Sequence, residues 1–387
     1  MPLKLFLARD EAERERIYRF RYRVYVEELD WHPPEADHDG KRVTDEFDPY
    51  SNSYGLIDDD GAVVGTLRAS YMDRLPDPSP FIAKYEMGPA IDFAGRAAVS
   101  ATGRFMIDPR LRHGQASAML LRAAYEDARK NGIRLNFSDC SPYLIRFEER
   151  IGQRRYTAPF EDPDFGFKLR IMMVVGDREH FAAVRSPLAP LADAYSDDPA
   201  ARAWFAATYP DWVWPQTAGF IPVDTFFDLL ADHIAHDPTH TIGILRGLSR
   251  EDAAQFLGAS TVMTAGPGER IVREGERDPT VFVLLKGLAE VARGDGRAVA
   301  TLGAGDIFGE ISFLTQTPRM ASVVARSPCE LLTLSADFLR QFLDEHPAIA
   351  ARVLFNLSRI LAGRLAQTTV GLAASEPPPI APDAARG

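Results

Sequence analysis

Hydrophobic and polar positions in the first half of the chain follow two alternating periods. Some segments carry apolar side chains at the three- to four-residue spacing of a helix, and others alternate every second residue, as in a half-buried strand. In chain order the segments are helix 11–28, strand 53–57, strand 63–68, strand 103–107, helix 116–131 and strand 133–137. Strands that alternate with helices are typical of an α/β domain, which we therefore predict over residues 1–190.

Residues 246–370 carry a different pattern. Short strands rich in β-branched and aromatic residues, such as 270–272 and 280–285, stand between glycine-containing turns. Two apolar helical stripes follow, separated by Pro347. This order predicts a small β-roll domain that ends in helices.

The segment between these two domains, residues 191–245, contains Trp204, Trp212 and Trp214 and is too apolar for a free tether. We predict that it docks as a helical bridge on one domain or on both. Residues 371–387, rich in proline and alanine, are predicted to form a disordered tail.

Composition narrows the range of functions. Two cysteines, Cys140 and Cys329, are too few for a disulfide framework or a metal cluster, so we expect a reducing compartment and no bound metal. A net charge of −11 argues against a nucleic-acid partner, which requires clustered lysine and arginine. The apolar stretch 3–8 is too short for a signal peptide, and no apolar run reaches the length of a membrane span. We therefore expect a cytoplasmic protein without a transmembrane segment.

The chemistry of one short stretch suits a phosphate and a ribose. Gly309 and Glu310 open a predicted helix, where bare backbone N–H groups and the positive helix end favour an anion. Arg319, which follows Pro318, can present a planar fork to two phosphate oxygens. An ionised Glu310 only accepts hydrogen bonds, so it suits a ribose hydroxyl.

This stretch resembles the phosphate-binding cassette of cyclic nucleotide-binding domains, such as those of protein kinase A regulatory subunits and the bacterial catabolite activator protein. The resemblance covers about residues 247–367 and implies a regulatory cyclic nucleotide. The implied binding residues are Gly309, Glu310, Ile311, Pro318, Arg319, Met320, Ala321 and Ser322. Cyclic-GMP-selective relatives carry a threonine directly after the cassette arginine. Because Met320 holds that place and a thioether cannot donate a hydrogen bond, cyclic AMP (cAMP) is the expected ligand.

Arginines, carboxylates and aromatic residues recur in order through the first domain. They are Arg23, Tyr25, Trp31, Asp45, Asp48, Arg68 and Arg104. In this order they resemble the acyl-homoserine-lactone synthases and the related bacterial N-acyl amino acid synthases, over about residues 11–188. The resemblance implies the N-acetyltransferase fold and a pocket in which these residues bind the acceptor and take part in catalysis. It also implies an acyl group donated by a thioester of acyl carrier protein or coenzyme A, and a small-molecule amine, such as an amino acid, as acceptor.

The sequence departs from these families at several positions. Ala101 stands where the lactone synthases carry a glutamate, the usual candidate base. In the loop that binds the acyl carrier, Arg112 fits the general N-acetyltransferase pattern, but Gly114 comes one place early; the following helix start can still bind a phosphate. Glu148 replaces the tyrosine that commonly protonates the leaving thiolate, a role that requires a raised pKa. Asp139, at the end of a strand, is a second candidate for proton transfer.

Two classes of function follow from these patterns. The first is an N-acyltransferase under allosteric control by a cyclic nucleotide, and the ordered polar set supports it. The second is a non-catalytic sensor whose transferase-like domain binds a metabolite or protein partner, which Ala101 and the irregular carrier loop support. A protein-lysine acetyltransferase is a third alternative. The sequence is compatible with a homodimer.

Overall fold

The computed structural model describes residues 2–112, 114–212, 223–234, 236–258, 260–315 and 317–375. The strands are β1 (Lys4–Leu7), β2 (Ala36–Asp37), β3 (Arg42–Val43), β4 (Asn52–Ile57), β5 (Val63–Tyr71), β6 (Val99–Ile107), β7 (Leu135–Cys140), β8 (Arg154–Arg155), β9 (Phe160–Asp162), β10 (Gly166–Val174), β11 (Thr261–Ala265), β12 (Arg270–Val272), β13 (Thr280–Lys286), β14 (Ala289–Ala292), β15 (Ala298–Leu302), β16 (Ile307–Phe308), β17 (Ser322–Ala325) and β18 (Cys329–Ser335).

The α-helices are α1 (Glu11–Tyr22), α2 (Ser79–Lys84), α3 (Gly88–Ala94), α4 (Gln115–Lys130), α5 (Ile145–Ile151), α6 (Arg178–Ala183), α7 (Ala189–Ala192), α8 (Pro199–Thr208), α9 (Val223–Ile234), α10 (Pro238–Thr241), α11 (Arg250–Leu257), α12 (Glu310–Thr315), α13 (Ala336–Glu345) and α14 (Pro347–Ser375). A π-helical segment, Arg23–Glu28, continues α1 directly. Among the described residues, no helix is long and apolar enough to cross a bilayer.

The first domain is built on an eight-stranded mixed sheet. Its strand order is β1-β4-β5-β6-β7-β10-β8, with β9 paired to the start of β10. Among the described strands of this sheet, only the β6–β7 pair is parallel, and α4 lies in the connection between those two strands. Separate hydrophobic clusters pack around the sheet, one with α4 and another with α3 and α8. The α/β class predicted from the alternating pattern is therefore observed.

Strands β6 and β7 diverge in the middle of this sheet. They pair from Val99 and Leu135 only as far as Ala101 and Phe137, although both strands continue. On the other side of β6, the pairing with β5 shifts register beyond Gly103. Arg104 lies in this irregular stretch with a φ of 51°, a backbone conformation that is uncommon for a residue with a side chain. The region at the carboxyl ends of β6 and β7, where their backbone pairing has ended, is here called the cleft.

The second domain is a β-roll made of two four-stranded antiparallel sheets. Their strand orders are β11-β18-β13-β16 and β12-β17-β14-β15. Helices α9, α11, α13 and α14 cover one end of the roll and share a hydrophobic core with β13 and β18. This is the β-roll with flanking helices that the turn and strand pattern predicts.

The two domains share a hydrophobic core rather than touching only at their surfaces. Phe167, Leu169 and Ile171 of β10 pack in one cluster with Ile271 and Phe282 of the β-roll. Hydrogen bonds also join the two domains: Arg273 donates to the carbonyl of Pro163, and Arg155 donates to the carbonyl of Val262. The domains therefore form a continuous packed unit at β10.

The bridge segment packs on both domains where it is described. Trp204 on α8 stacks on Phe93 of the first domain, with ring centroids 4.9 Å apart. Phe227 and Leu230 on α9 are buried in the core of the β-roll. Trp214 lies outside the described residues. Because the segment packs against both domains, it carries apolar side chains that a free tether would leave exposed to water.

Two sequence predictions need correction. The disordered tail is wrong for residues 371–375, because α14 continues through Ser375; alanine and leucine favour the helix there. Residues 376–387 lie outside the described residues. The strand predicted over 133–137 is β7, which begins later, at Leu135, because the N–H of Ile133 still bonds to Ala128 at the end of α4.

Candidate functional site

The cleft between β6 and β7 is bordered by a network of arginines and carboxylates. Asp45 Oδ1 accepts a hydrogen bond from Arg68 Nη1 (2.5 Å), and Asp45 Oδ2 accepts one from Arg104 Nη2 (2.9 Å). Arg104 Nη2 also lies 2.5 Å from Glu35 Oε1. Burial opposes ionisation of Asp45, but Arg68 and Arg104 outweigh it and lower the pKa of this carboxyl below its usual value. Asp45 is therefore a fixed anion that orients both arginines.

Asp48 extends this network towards a residue that the sequence reasoning missed. Both of its carboxylate oxygens accept hydrogen bonds from Arg21 Nη1 at 2.8 Å, and Asp48 Oδ1 lies 3.3 Å from Arg68. Arg21 and Asp48 are both completely buried. Burial opposes ionisation of Asp48, but the charges of Arg21 and Arg68 lower its pKa. Arg21 is thus the arginine of α1 that belongs to the cleft network.

Arg23, which the sequence analysis placed in the pocket, does not join this network. Its side chain is 45% exposed and donates to the backbone carbonyl of Val63 (3.0 Å) and to Asp108 Oδ2 (3.2 Å). Two positions along a helix turn the side chain by about 200°, so Arg21 and Arg23 point in different directions. The signal that could have identified Arg21 is its position one helical turn before Tyr25.

Several buried arginine donors in the network have no acceptor. Within the described residues, Arg21 Nε, Arg21 Nη2 and Arg104 Nη1 lack a hydrogen-bond partner. A buried charged donor without an acceptor is costly, so it indicates either strain or a binding site for an anion.

Aromatic residues form one wall next to these arginines. Trp31 packs on Phe165 and Tyr25, with ring centroids 3.9 and 4.5 Å away, and its Nε1 donates to the carbonyl of Asp164 at 2.8 Å. The Arg104 guanidinium lies 5.6 Å from the centre of the Tyr25 ring. Trp31 is therefore held against the turn between β9 and β10, beside the polar network.

A second group of titratable residues lies at the end of β7. Asp139 Oδ2 accepts a hydrogen bond from the Tyr85 hydroxyl (2.7 Å) and pairs with Lys84 Nζ (2.9 Å). Lys84 also donates to Asp162 Oδ2 at 2.9 Å. Burial alone would raise the pKa of Asp139, but Lys84 and Lys168 lower it overall. Asp139 therefore carries a negative charge at neutral pH.

Glu148 on α5 has the opposite shift. Burial, with a smaller contribution from the charge of Asp139, raises the pKa of Glu148 to about 8. Burial also raises the pKa of the Cys140 thiol well above its usual value, so this cysteine packs and stays protonated. The cleft thus contains one ionised and one protonated carboxyl, an arrangement suited to paired base and acid chemistry.

The predicted carrier loop leads from β6 to α4. Arg112 Nε donates to the carbonyl of Ile107 at 3.1 Å, and its Nη2 donates to Glu28 at the end of the π-helical segment. Gly114 is exposed and caps the amino terminus of α4, a helix of 16 residues. Ala101 is buried in the β6–β7 pairing, so the position of the family glutamate carries no titratable group here.

The nucleotide cassette forms a compact turn around Arg319. Gly309 has a φ of 80°, and a Cβ built on it would collide with the Arg319 guanidinium and come within 2.8 Å of the Thr280 carbonyl. Arg319 is 4% exposed and donates to the carbonyls of Gly309 (2.8 Å) and Thr280 (2.7 Å). Its Nε has no acceptor within the described residues. Glycine at 309 is required by both the backbone angle and this close approach.

Glu310 has a partner on the last helix that the sequence reasoning did not predict. Its Oε1 accepts a hydrogen bond from Arg364 Nη1 at 2.8 Å, and Arg364 Nη2 donates to the carbonyl of Ile307 at 2.6 Å. Arg364 therefore links α14 to the start of the cassette. No local motif around residue 364 indicates this contact.

The remaining cassette residues surround this turn. Ile311 and Met320 are 41% and 62% exposed, whereas Pro318, Ala321 and Ser322 are partly buried. The Ser322 hydroxyl accepts a hydrogen bond from the N–H of Glu274 at 3.0 Å. The contact between Arg319 and Gly309 brings the two ends of the predicted cassette together.

Comparison with known proteins gives a family for each domain. Residues 16–175 match the family model of the N-acyl amino acid synthase FeeM, and residues 262–346 match that of the cyclic nucleotide-binding domain.

Among curated relatives, Glutaminase 1 of Bradyrhizobium diazoefficiens is 34% identical over 122 residues, which are 32% of this chain and 20% of that protein. The cAMP-dependent protein kinase regulatory subunit of Yarrowia lipolytica is 33% identical over 103 residues, 26% of this chain and 28% of that protein. The CRP-like cAMP-activated global transcriptional regulator of Mycobacterium tuberculosis is 27% identical over 135 residues, 34% of this chain and 58% of that protein. The chain thus spans about a fifth of the glutaminase and less than two thirds of the other two.

Among solved structures, a cyclic nucleotide-binding domain from Methylobacillus flagellatus is 26% identical, with a TM-score of 0.36, and the match covers 46% of this chain and 97% of that one. TofI, in a ternary complex with an inhibitor and MTA, is 23% identical, with a TM-score of 0.37, over 52% of this chain and 100% of that one. The family matches confirm the fusion predicted from the two sets of residues: this chain joins a domain of the N-acyl amino acid synthase FeeM family to a cyclic nucleotide-binding domain.

Proposed function

We propose that this protein is an N-acyltransferase whose activity is regulated by cAMP. It moves an acyl group from a thioester of acyl carrier protein or coenzyme A to the amine of a small molecule such as an amino acid. The observation that carries this proposal is the match of residues 16–175 to the synthase family, supported by two features of the first domain: an arginine network with unpaired buried donors, and the ionised Asp139 with the protonated Glu148.

The arginine network supports an acceptor that carries a carboxylate. Arg21 and Arg104 together have three buried guanidinium nitrogens without a partner among the described residues. A carboxylate is the ligand that matches a guanidinium in both charge and geometry. Asp45 and Asp48 hold these arginines in place, and the acceptor carboxylate would supply the missing hydrogen-bond acceptors.

Asp139 and Glu148 support the proton transfers of aminolysis. The acceptor attacks as the neutral amine, after its ammonium proton has been released to solvent, and the Asp139 carboxylate takes a proton from the nitrogen as that nitrogen bonds to the thioester carbonyl carbon. When the C–S bond breaks, the Glu148 carboxyl gives its proton to the leaving thiolate. The products are an amide and a free thiol, and the proton on Asp139 returns to Glu148. These two residues would replace the base and acid that the families carry at Ala101 and at position 148.

The donor side of the cleft is supported by the start of α4. Gly114 leaves the amino terminus of this helix open, and a helix amino terminus favours a phosphate such as that of phosphopantetheine or coenzyme A. Arg112, fixed by the Ile107 carbonyl and Glu28, adds a positive charge next to it.

The cassette supports cAMP as the regulatory ligand. Arg319 is the residue suited to the cyclic phosphate, because its buried Nε has no acceptor among the described residues. Glu310 is suited to the ribose hydroxyl, in competition with Arg364. Met320 is exposed next to Arg319 and cannot donate to a guanine, which favours adenine.

Mass spectrometry of lipid extracts from cells overproducing the protein tests the transferase assignment. We expect a new N-acyl amine in these extracts and its absence when D139N is overproduced at the same level. E179Q, which changes an exposed carboxylate outside the cleft, is the matched control and should retain the product. An extract without any new N-acyl amine, confirmed by the absence of thiol release from acyl thioesters in vitro, would contradict the proposal.

A further inference from the structure

One loop of the nucleotide domain contacts both the cassette and the transferase domain. Residues 273–278, here called the relay loop, connect β12 to β13. On the cassette side, the N–H of Arg319 donates to the carbonyl of Glu276, and the N–H of Gly275 donates to the carbonyl of Arg319, both at 2.8 Å. Asp278 Oδ1 lies 3.3 Å from Arg319 Nη2. The residue suited to the nucleotide phosphate is thus bonded to this loop through both its backbone and its side chain.

On its other side, the relay loop holds the turn between β9 and β10. Arg273 Nη1 donates to the carbonyl of Pro163 at 2.6 Å. Arg273 Nη2 bonds to the carbonyl of Asp162 (3.1 Å) and to Glu161 Oε1 (2.9 Å). Residues 161–166 are here called the hairpin tip. One guanidinium therefore fixes three consecutive residues of the hairpin tip.

Glu276 makes this contact tight. A Cβ built on Gly166, which has a φ of 68°, would collide with the Glu276 carboxylate. Glu276 Oε1 is buried without a hydrogen-bond donor within the described residues, and its charged neighbour Arg273 lies 3.7 Å away. A displacement of the relay loop by a fraction of an ångström would therefore have to be matched by the hairpin tip, because close-packed groups cannot absorb it.

The hairpin tip in turn contacts the aromatic wall at Trp31 and, through Lys84, the Asp139 group. Its Asp164 carbonyl accepts the hydrogen bond from Trp31, and Phe165 packs on the Trp31 ring. Its Asp162 side chain shares Lys84 with Asp139. A shift of the hairpin tip would therefore change the positions of both Trp31, in the aromatic wall, and Asp139, the proposed base.

We infer that the relay loop and the hairpin tip are the link through which a nucleotide at Arg319 changes the transferase cleft. This inference rests on the proposed function and adds its route of regulation. A phosphate that draws the Arg319 guanidinium away from Asp278 and Thr280 changes the contacts of the relay loop, and Arg273 passes the displacement to the hairpin tip. Arg273 acts as a positioning residue here, since it touches neither ligand.

Hydrogen exchange of the full-length protein tests this route without any acyl substrate. We expect cAMP to change the exchange of amides in residues 160–168 in the wild type and in R326A, an arginine variant that removes an ion pair within the nucleotide domain only. In R273A the nucleotide should still bind, while the change at residues 160–168 disappears. The same variant should lose the nucleotide-dependent change in turnover.

The outcomes separate this inference from the proposed function. A wild type that binds no cyclic nucleotide in calorimetry overturns both. Bound cAMP with unchanged exchange at residues 160–168, or an unchanged response in R273A, overturns the inference alone. If R273A fails to fold, as thermal unfolding would show, R273K keeps a positive charge and a hydrogen-bond donor of similar reach without the bidentate fork and should lose most of the response.

Discussion

Asp139 and Glu148 are neighbouring carboxyl groups whose pKa values are shifted in opposite directions. Lys84 and Lys168 outweigh the burial of Asp139 and lower its pKa, whereas burial and the charge of Asp139 raise that of Glu148 to about 8. A pair of this kind holds a base and an acid in the same cleft at neutral pH.

The pH dependence of turnover follows from Glu148. Because its pKa is about 8, the proton that we assign to the leaving thiolate is present below that pH and is lost above it. We expect kcat to fall as the pH rises through about 8 in a thiol-release assay. E148Q should lower kcat by about 10²- to 10⁴-fold and remove this alkaline limb. An alkaline limb that persists unchanged in E148Q would assign it to another group.

The stability of the protein should depend on the same carboxyl. A raised pKa in the folded state means that folding favours the protonated form, so this contribution is fully present below the ordinary pKa of a glutamate. It is lost as the pH rises towards 8. We therefore expect E148Q to unfold at a higher temperature than the wild type at pH 8, with the difference shrinking towards pH 5. Equal differences at both pH values would contradict the raised pKa.

Arg104 and Arg23 offer a matched pair of arginine variants. Hydrogen bonds to charged groups are worth about 1.5 to 3 kcal/mol, so R104A should lower kcat/KM for an amino acid acceptor by roughly 10- to 150-fold. The KM for the acyl donor and the affinity for cAMP should stay unchanged. R23A removes a half-exposed arginine outside the network and should have little effect. An equal loss of kcat/KM in both variants would support the sequence prediction that Arg23 lines the pocket.

The cassette assignment predicts a graded loss of nucleotide affinity. Removing one member of a buried charged pair costs about 2 to 5 kcal/mol, so R319A should weaken cAMP binding by about two to three decades in calorimetry. E310Q should cost less, because an amide keeps an acceptor oxygen. R326A, on the surface of the same domain, is the control. Wild-type affinity in R319A would remove the basis of the assignment.

Met320 should set the choice between nucleotides. We expect cAMP to bind more tightly than cyclic GMP by about 1 to 2 kcal/mol, since one neutral hydrogen bond is at stake. M320T supplies a hydroxyl at an exposed position, so it should narrow this margin without destabilising the fold. Tighter binding of cyclic GMP by the wild type would contradict the role given to Met320.

The sequence alone determined what depends on local spacing. The cassette lies within residues 309–322 of continuous chain, where a glycine turn, a helix start and an arginine are close in sequence, so the sequence could predict that Gly309 and Arg319 belong to one turn. The α/β pattern and the β-roll were also predictable, because period and turn residues are local properties. In the same way, the ordered polar residues of the first domain pointed to the synthase family.

The tertiary structure decided what depends on distant contacts. Arg21, rather than Arg23, enters the cleft network because its side chain is the one on α1 that pairs with Asp48, which is 27 positions away in the sequence. The raised pKa of Glu148 comes from the packing around it, and the bond between Arg364 and Glu310 joins residues 54 positions apart. The contact of Arg273 with the hairpin tip crosses 110 positions, and it arises because β10 and the β-roll share one hydrophobic core. No local pattern encodes such contacts, since they depend on how whole domains pack together.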